Sequence, residues 1–185
     1  MPVKDYPSID YVCQCLREEN GHLFWLRRPL AHFSGERSRG TWNTRFSGTE
    51  AGTIKEGRLE PGKPRCHVNF GGRNLLRYTI VWAIHKREWR AGLDHENRDQ
   101  LDDRIENLRP ADQTLNNANS SRRKDNLSGY KGVSWTASRG RNKWLSQIKF
   151  RGRHIHLGYF DDPVEAAAAY VRAAQKYFGD YHFGG

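Results

Sequence analysis

The sequence predicts an α+β chain built from two small modules, and three observations predict it. Its 185 residues can hold one medium domain or two small ones. Short β-prone runs bounded by turn residues share both halves with segments of helical spacing. Between the halves, Asn119 to Asn126 is polar, charged and free of large apolar groups, as a linker is.

In chain order, Met1 to Asn20 reads as a polar lead-in ending in a short helix or turn. Gly21 to Leu26 is β-prone and follows the turn signal Glu19-Asn20-Gly21. Pro29 to Pro64 is rich in Gly, Arg and Ser, which predicts loops plus short strands around Trp42 and Phe46. His67 to Phe70 alternates, Gly71-Gly72 supplies a turn, and the run resumes at Asn74, so a hairpin is expected. The apolar residues from Leu75 to Ile84 suit a helix beginning near Arg77. After the linker, Lys131 to Trp135, Lys143 to Phe150 and Arg153 to Phe160 read as three strands. Asp162 to Phe178 is a helix, with Asp161 or Asp162 as N-cap, Pro163 in the first turn and Gly179 after the end. Its apolar stripe is Ala167, Tyr170, Val171, Ala174 and Phe178.

Charge narrows the function classes. The chain carries 31 Lys and Arg against 21 Asp and Glu, a formal net of +10. Such an excess favours a polyanionic partner, because each neutralised phosphate releases condensed counterions. No apolar run is long enough to span a membrane, no strong basic amphipathic anchor is present, and the N-terminus lacks the apolar core of a signal peptide. The cytoplasm of a bacterial or phage-infected cell is the expected location. Cys13, Cys15 and Cys66 do not make a secreted disulfide framework. With His67 they offer four zinc donors, but the spacing is poor, so they are read as reduced thiols and no structural zinc is expected.

The segment LDHENRDQLDDRIENLRPADQTLNN, Leu93 to Asn117, resembles the HNH (ββα-metal) nuclease motif. WLRRP at Trp25, WNTRFSGTEAGTI at Trp42 and IVWAIHKREW at Ile80 extend the resemblance to phage and bacterial homing endonucleases of that class. The resemblance implies that Asp94 is a metal ligand, His95 the general base, Asn107 a loop brace and Asn116 the second ligand. Asn117 is the rival ligand if the helix register shifts by one. Asp102, Asp103, Arg104 and Glu106 are read as solvated loop charges and local salt bridges. Relatives commonly carry a histidine where this chain has Tyr78, which is read as a tolerated structural departure. His85 is expected to be a solvated or capping histidine.

This chemistry is coherent. A neutral imidazole, with an ordinary pKa of about 6.5, can take a proton from water at cellular pH. A carboxylate and an amide oxygen form a hard donor set suited to one Mg²⁺ or Mn²⁺ per site. No organic cofactor is implied. Neighbours on a regular strand point to opposite faces, so Asp94 and His95 share a site only if the strand ends or twists there.

From Asn126 to Phe183 the chain resembles the Apetala-type (ethylene-response-factor) DNA-binding domain, on SGYKGVSW, KWLSQIKF, HLGYF and EAAAAYVRAA. That resemblance implies a three-stranded antiparallel sheet on one helix, with the open sheet face in the major groove. Residues 121–185 hold 12 Lys and Arg against 5 Asp and Glu, most of the chain's excess. Alternation puts Trp144, Ser146, Ile148 and Phe150 on the helix side and Lys143, Leu145, Gln147 and Lys149 on the other. Lys131, Gln147, Lys149, His154 and His156 are expected to face DNA, with Arg139, Arg141, Arg151 and Arg153 available for phosphates. Trp135 and Trp144 are read as core aromatics.

The expected organisation is a nuclease domain at 1–120 with its core about 66–120, a linker at 121–127 and a DNA-binding domain at 128–185. The expected function is a homing-type endonuclease that binds double-stranded DNA and nicks one strand, acting as a monomer, with a dimer as the route to a double-strand cut. The alternative is a DNA-binding regulator with a silenced centre. An RNA-binding protein is a third reading, without the aromatic-rich single-strand platforms RNA usually calls for.

Overall fold

The structure is a computed structural model that describes residues 6–57, 60–120, 122, 125–137 and 143–182. It is mixed α+β, with small antiparallel sheets and five α-helices among the described residues. The chain divides into two compact units, Met1–Pro110 and Ala111–Gly185. The division falls ahead of the expected position 120. Polarity marks where large apolar groups run out, but burial decides membership: Ala118, with Leu115 beside it, packs into the core of the second unit.

The first unit begins with α1 (Ile9–Cys15), capped by Ser8, whose Oγ accepts from the Tyr11 amide at 3.3 Å. β1 (Leu16–Glu19) and β2 (His22–Trp25) form a hairpin whose turn residues, Asn20 and Gly21, both have positive φ (49° and 83°). Next comes a departure from expectation. Trp42 and Phe46 lie on a helix, α2 (Glu36–Phe46), and not on strands. Four residues apart, their rings meet on one helix face at 5.3 Å, and Trp42 also packs against Trp25 and Phe33. The rest of α2 is polar, which hid the helical period.

β3 (Thr53–Gly57), β4 (Glu60–Phe70) and β5 (Arg73–Leu76) make a three-stranded antiparallel sheet. The expected Gly71-Gly72 turn joins the last two strands. α3 (Arg77–Lys86) starts where the apolar pattern placed it and runs through the core, with Ile80, Val81 and Ala83 fully buried. β6 (Leu93–His95) and β7 (Leu108–Pro110) then pair as a short two-stranded ribbon.

In the second unit, α4 (Gln113–Asn119) is capped by Asp112, whose carboxylate accepts from the Leu115 amide at 2.9 Å. β8 (Val133–Thr136), β9 (Lys143–Phe150) and β10 (Arg153–Phe160) form an antiparallel sheet in the order β10-β9-β8. α5 (Pro163–Phe178) covers one face, capped by Asp162 and closed by Gly179. Its buried stripe is Ala166, Tyr170, Ala173, Ala174 and Phe178, while Val171 lies on the exposed flank. The expected stripe was therefore rotated by part of a turn, because Ala-rich helices leave the sequence little contrast between neighbouring faces. Gly132 (φ +72°) lets the chain pass against Tyr170; a β-carbon there would stand 2.6 Å from the Gln147 carbonyl oxygen and inside contact distance of the ring.

Candidate active site and sheet face

Two short strands and the loop between them carry the first cluster. In the β6–β7 ribbon, Asp94 is the register partner of Arg109 and His95 that of Leu108. Asp94 Oδ2 accepts from Arg109 Nη2 at 3.2 Å and Nε at 3.3 Å. The loop after His95 leaves the strand at once: the Arg98 amide donates back to the His95 carbonyl at 3.0 Å, with Arg98 at φ 67°. Asn107 ties this loop together. Its Oδ1 accepts from the Asn97 amide at 2.9 Å, and its Nδ2 donates to the Asp102 carbonyl at 2.7 Å and to Asn97 Oδ1 at 3.0 Å. An asparagine is suited to this task because one side chain supplies both an acceptor and two donors.

His95 and Asp94 take different partners. His95 is 3% exposed, and its Nε2 lies 2.8 Å from Asp103 Oδ1. The ring also meets the edge of Tyr78 at a centroid distance of 5.2 Å and 83° between planes. Asp103 is therefore not the solvated loop charge its sequence position suggests. It is 2% exposed, and its Oδ2 accepts from Arg77 Nε at 2.7 Å. Arg77 is itself buried, and donates to the Leu101 carbonyl at 2.8 Å and to Glu50 at 3.2 Å. Gly21 makes this close packing feasible, since a β-carbon there would sit 2.6 Å from the Arg104 amide nitrogen. Asp102 and Arg104 do form the expected exposed pair at 2.7 Å. Hydrogen bonding to Arg104 holds the Asp102 carboxyl at a pKa of about 2.

No motif signals Asp103 or Arg77. A buried arginine at the first position of an apolar helix is the one available hint, because its charge must be met by something brought from elsewhere in the fold. His85 pairs with Glu18 at 2.6 Å on the surface side of α3. Burial raises the pKa of the Cys15 and Cys66 thiols, which suits inert thiols in a core and not reactive ones.

In the second unit, Asn116 sits on α4. Its Oδ1 is buried and accepts no hydrogen bond among the described residues. The neighbouring Asn117 differs: its Oδ1 accepts from Gln113 Nε2 at 3.0 Å along the same helix. An unsatisfied buried amide oxygen is costly, and a cation ligand is one way to relieve it. Among the described residues no three His, Cys, Asp or Glu side chains gather as a ready-made metal cage.

The sheet of the second unit presents the second cluster. Register pairs His154 with Lys149, His156 with Gln147, and Tyr159 with Leu145 on its open face. Lys149, His154, His156 and Tyr159 are exposed. A bulge at Leu157 puts Tyr159, and not Gly158, opposite Leu145, and the His156 and Tyr159 rings meet at 4.7 Å. Lys143 pairs with Asp161 at 2.9 Å, which offsets its charge. Arg151 lies at the β9–β10 turn over the Phe150 ring at 5.2 Å, and Arg153 pairs in register with Phe150.

Lys131 precedes β8 and its ammonium is engaged by backbone carbonyls. It donates to the carbonyls of Asn117 (3.0 Å), Ala118 (2.6 Å) and Ser120 (2.5 Å), at the end of α4. Arg139 and Arg141 lie outside the described residues. Trp135, expected in the core, is 53% exposed and meets Trp144 edge-on at 5.0 Å, at the end of the sheet.

Comparison with family models, curated proteins and solved structures finds no match for this chain. Among the described residues no helix is long and apolar enough to cross a membrane.

Proposed function

We propose that the protein is a metal-dependent DNA endonuclease of the HNH type, whose second unit holds duplex DNA. The observation that carries the reading is the Asn107-braced ribbon, whose first strand carries Asp94 and His95, both buried, to the point where the tied loop begins. The sequence motif gives Asp94 the metal and His95 the attacking water. By donor type, the Asp94 carboxylate in the first unit and the Asn116 amide oxygen in the second, which has no hydrogen bond among the described residues, are each hard ligands of the kind Mg²⁺ or Mn²⁺ takes. When bound, such an ion supplies charge stabilisation at the scissile phosphate.

The chain's own residues divide the remaining work. His95 takes a proton from the attacking water. Asn107 fixes the loop that follows it, so that the imidazole is held in place before substrate arrives. Lys149, Gln147, His154 and His156 meet the duplex on the open sheet face, the glutamine being able to read adenine and the cations to position the backbone. Arg151 and Arg153 stand at the hairpin end for flanking phosphates.

Two observations favour the second reading, a DNA-binding regulator with a silenced centre. His95 is buried against Tyr78, and Asp94 is engaged by Arg109. Incubating supercoiled plasmid with the protein and Mg²⁺, Mn²⁺ or EDTA separates the two, beside a His95→Ala control. Metal-dependent open-circular product that is lost in the variant supports the nuclease. A gel shift on duplex DNA with no cut under any metal supports the regulator, and a failure to bind duplex DNA overturns both.

A further inference from the structure

We infer that Asp103, backed by Arg77, is the positioning residue for His95: it fixes which ring nitrogen carries the proton and so which one can act as base. This rests on the nuclease reading of His95. The carboxylate is buried between two cationic or donor groups, Arg77 Nε at 2.7 Å from Oδ2 and His95 Nε2 at 2.8 Å from Oδ1. An ionised carboxylate only accepts hydrogen bonds, so His95 must donate through Nε2–H. The lone pair of the neutral ring then resides on Nδ1, and proton transfer from water falls to that atom. Arg77 offsets the burial of the carboxylate's charge, and its bonds to the Leu101 carbonyl of the same loop and to Glu50 tie that loop to the start of α3.

A purely structural ion pair is the rival account, and its economics argue against it. Burying two charges costs about as much as their attraction returns, and an apolar pair of similar volume is often as stable. Here the pair does something an apolar pair cannot, since it presents a fixed acceptor to an imidazole at the end of β6. The sequence gives the arrangement no local substitute: Asp103 lies eight residues beyond His95 and Arg77 on a different element.

The decisive variant is Asp103→Asn. Arg77 can only donate, so the new amide turns its oxygen to Arg77 and its NH₂ to His95. The NH₂ then donates to Nε2, and the neutral ring is driven to the Nδ1–H form. Two-bond ¹H–¹⁵N correlation spectra of the full-length, histidine-labelled protein, taken where the rings are neutral, read this directly; His95→Gln assigns the signals. The expected result is Nε2–H in the wild type and Nδ1–H in Asp103→Asn. Turnover should fall on the order of a hundredfold or more in the variant, with duplex affinity unchanged. A wild-type His95 in the Nδ1–H form overturns the inference, even if the variant does not fold. So does an unchanged tautomer in folded Asp103→Asn. A wild type with the expected tautomer that cuts no DNA under any metal leaves the geometry standing and removes the nuclease reading, and the positioning role falls with it. Cleavage with the opposite tautomer removes only the inference.

Discussion

Lys131 offers the sharpest test of where structure and sequence part. Sequence reading puts its cation on DNA, whereas the structure has its ammonium gather three carbonyls at the C-terminus of α4. The perturbation is Lys131→Met, which keeps the aliphatic stem and removes the charge. Two of the three bonds are exposed and return little. The bond to Ala118 is half-buried and charge-assisted, worth about 1 kcal/mol or somewhat more. A cation at a helix C-terminus contributes up to about 2 kcal/mol in partly buried geometry. The expected loss is therefore about 1–2 kcal/mol, borne by α4 and its contact with the second core. A loss of that size raises the opening equilibrium by a factor of about 5–30. Amide hydrogen exchange on the full chain should show α4 exchanging faster by that factor, with the β3–β5 sheet unaffected. Duplex binding should keep its salt dependence. If α4 exchange is unchanged and the slope of log affinity against log salt falls by about one, Lys131 is a phosphate contact and the capping argument is wrong.

Other consequences are as direct. Lys149→Gln should lower that salt slope by about one while sparing α4; an unchanged slope would remove the open face as the docking surface. Asp103→Ala should cost about 3 kcal/mol, because it strips the buried Arg77 of its 2.7 Å carboxylate and leaves it only the Glu50 carboxylate at 3.2 Å, and pairing Asp103→Leu with Arg77→Met should recover much of that in chemical denaturation. Recovery of nothing would mean that the ion pair is not the source of the loss. For Asp102, the folded pKa of about 2 lies below the usual value of 3.8. Its contribution to loop order is thus full above the unfolded pKa and fades as pH falls from about 4 toward 2; a carboxyl ¹³C titration with a midpoint near 4 would contradict the Arg104 contact. Burial pushes the Tyr170 phenol up to about 12, so an ultraviolet titration should show a tyrosine component with a midpoint near 12 that Tyr170→Phe removes.

Several elements were legible in the sequence because their signals are local. The α5 helix is bounded by Asp162, Pro163 and Gly179, each acting through its own backbone. β9 and β10 match their alternating runs end for end, and Gly71-Gly72 marks its turn. The apolar run that opens at Arg77 likewise delimits α3. At the site, the sequence motif singles out Asp94, His95, Asn107 and Asn116, and Asn107 needs only partners within ten residues to tie its loop.

What escaped the sequence depends on groups far apart along the chain. The period of α2 was invisible because most of its side chains are polar, and only packing of Trp42 on Trp25 and Phe33 selects the helix. Assignment of α4 to the second unit turns on where Leu115 and Ala118 find apolar neighbours, which polarity does not encode. The charges at Asp103 and Lys131 looked like solvated loop and groove cations or anions, since a charged residue in a turn is ordinarily wet. Each is instead met by a partner from another element: Arg77 across 26 residues for Asp103, and the last turn of α4 for Lys131. The sequence by itself determined β9, β10, the capped α5, the Gly71-Gly72 turn and the start of α3, whose energetics are settled within a few residues. Tertiary structure alone decided which charges are buried, because desolvating a charge is tolerable only where the fold delivers its counter-charge or donor to the same place.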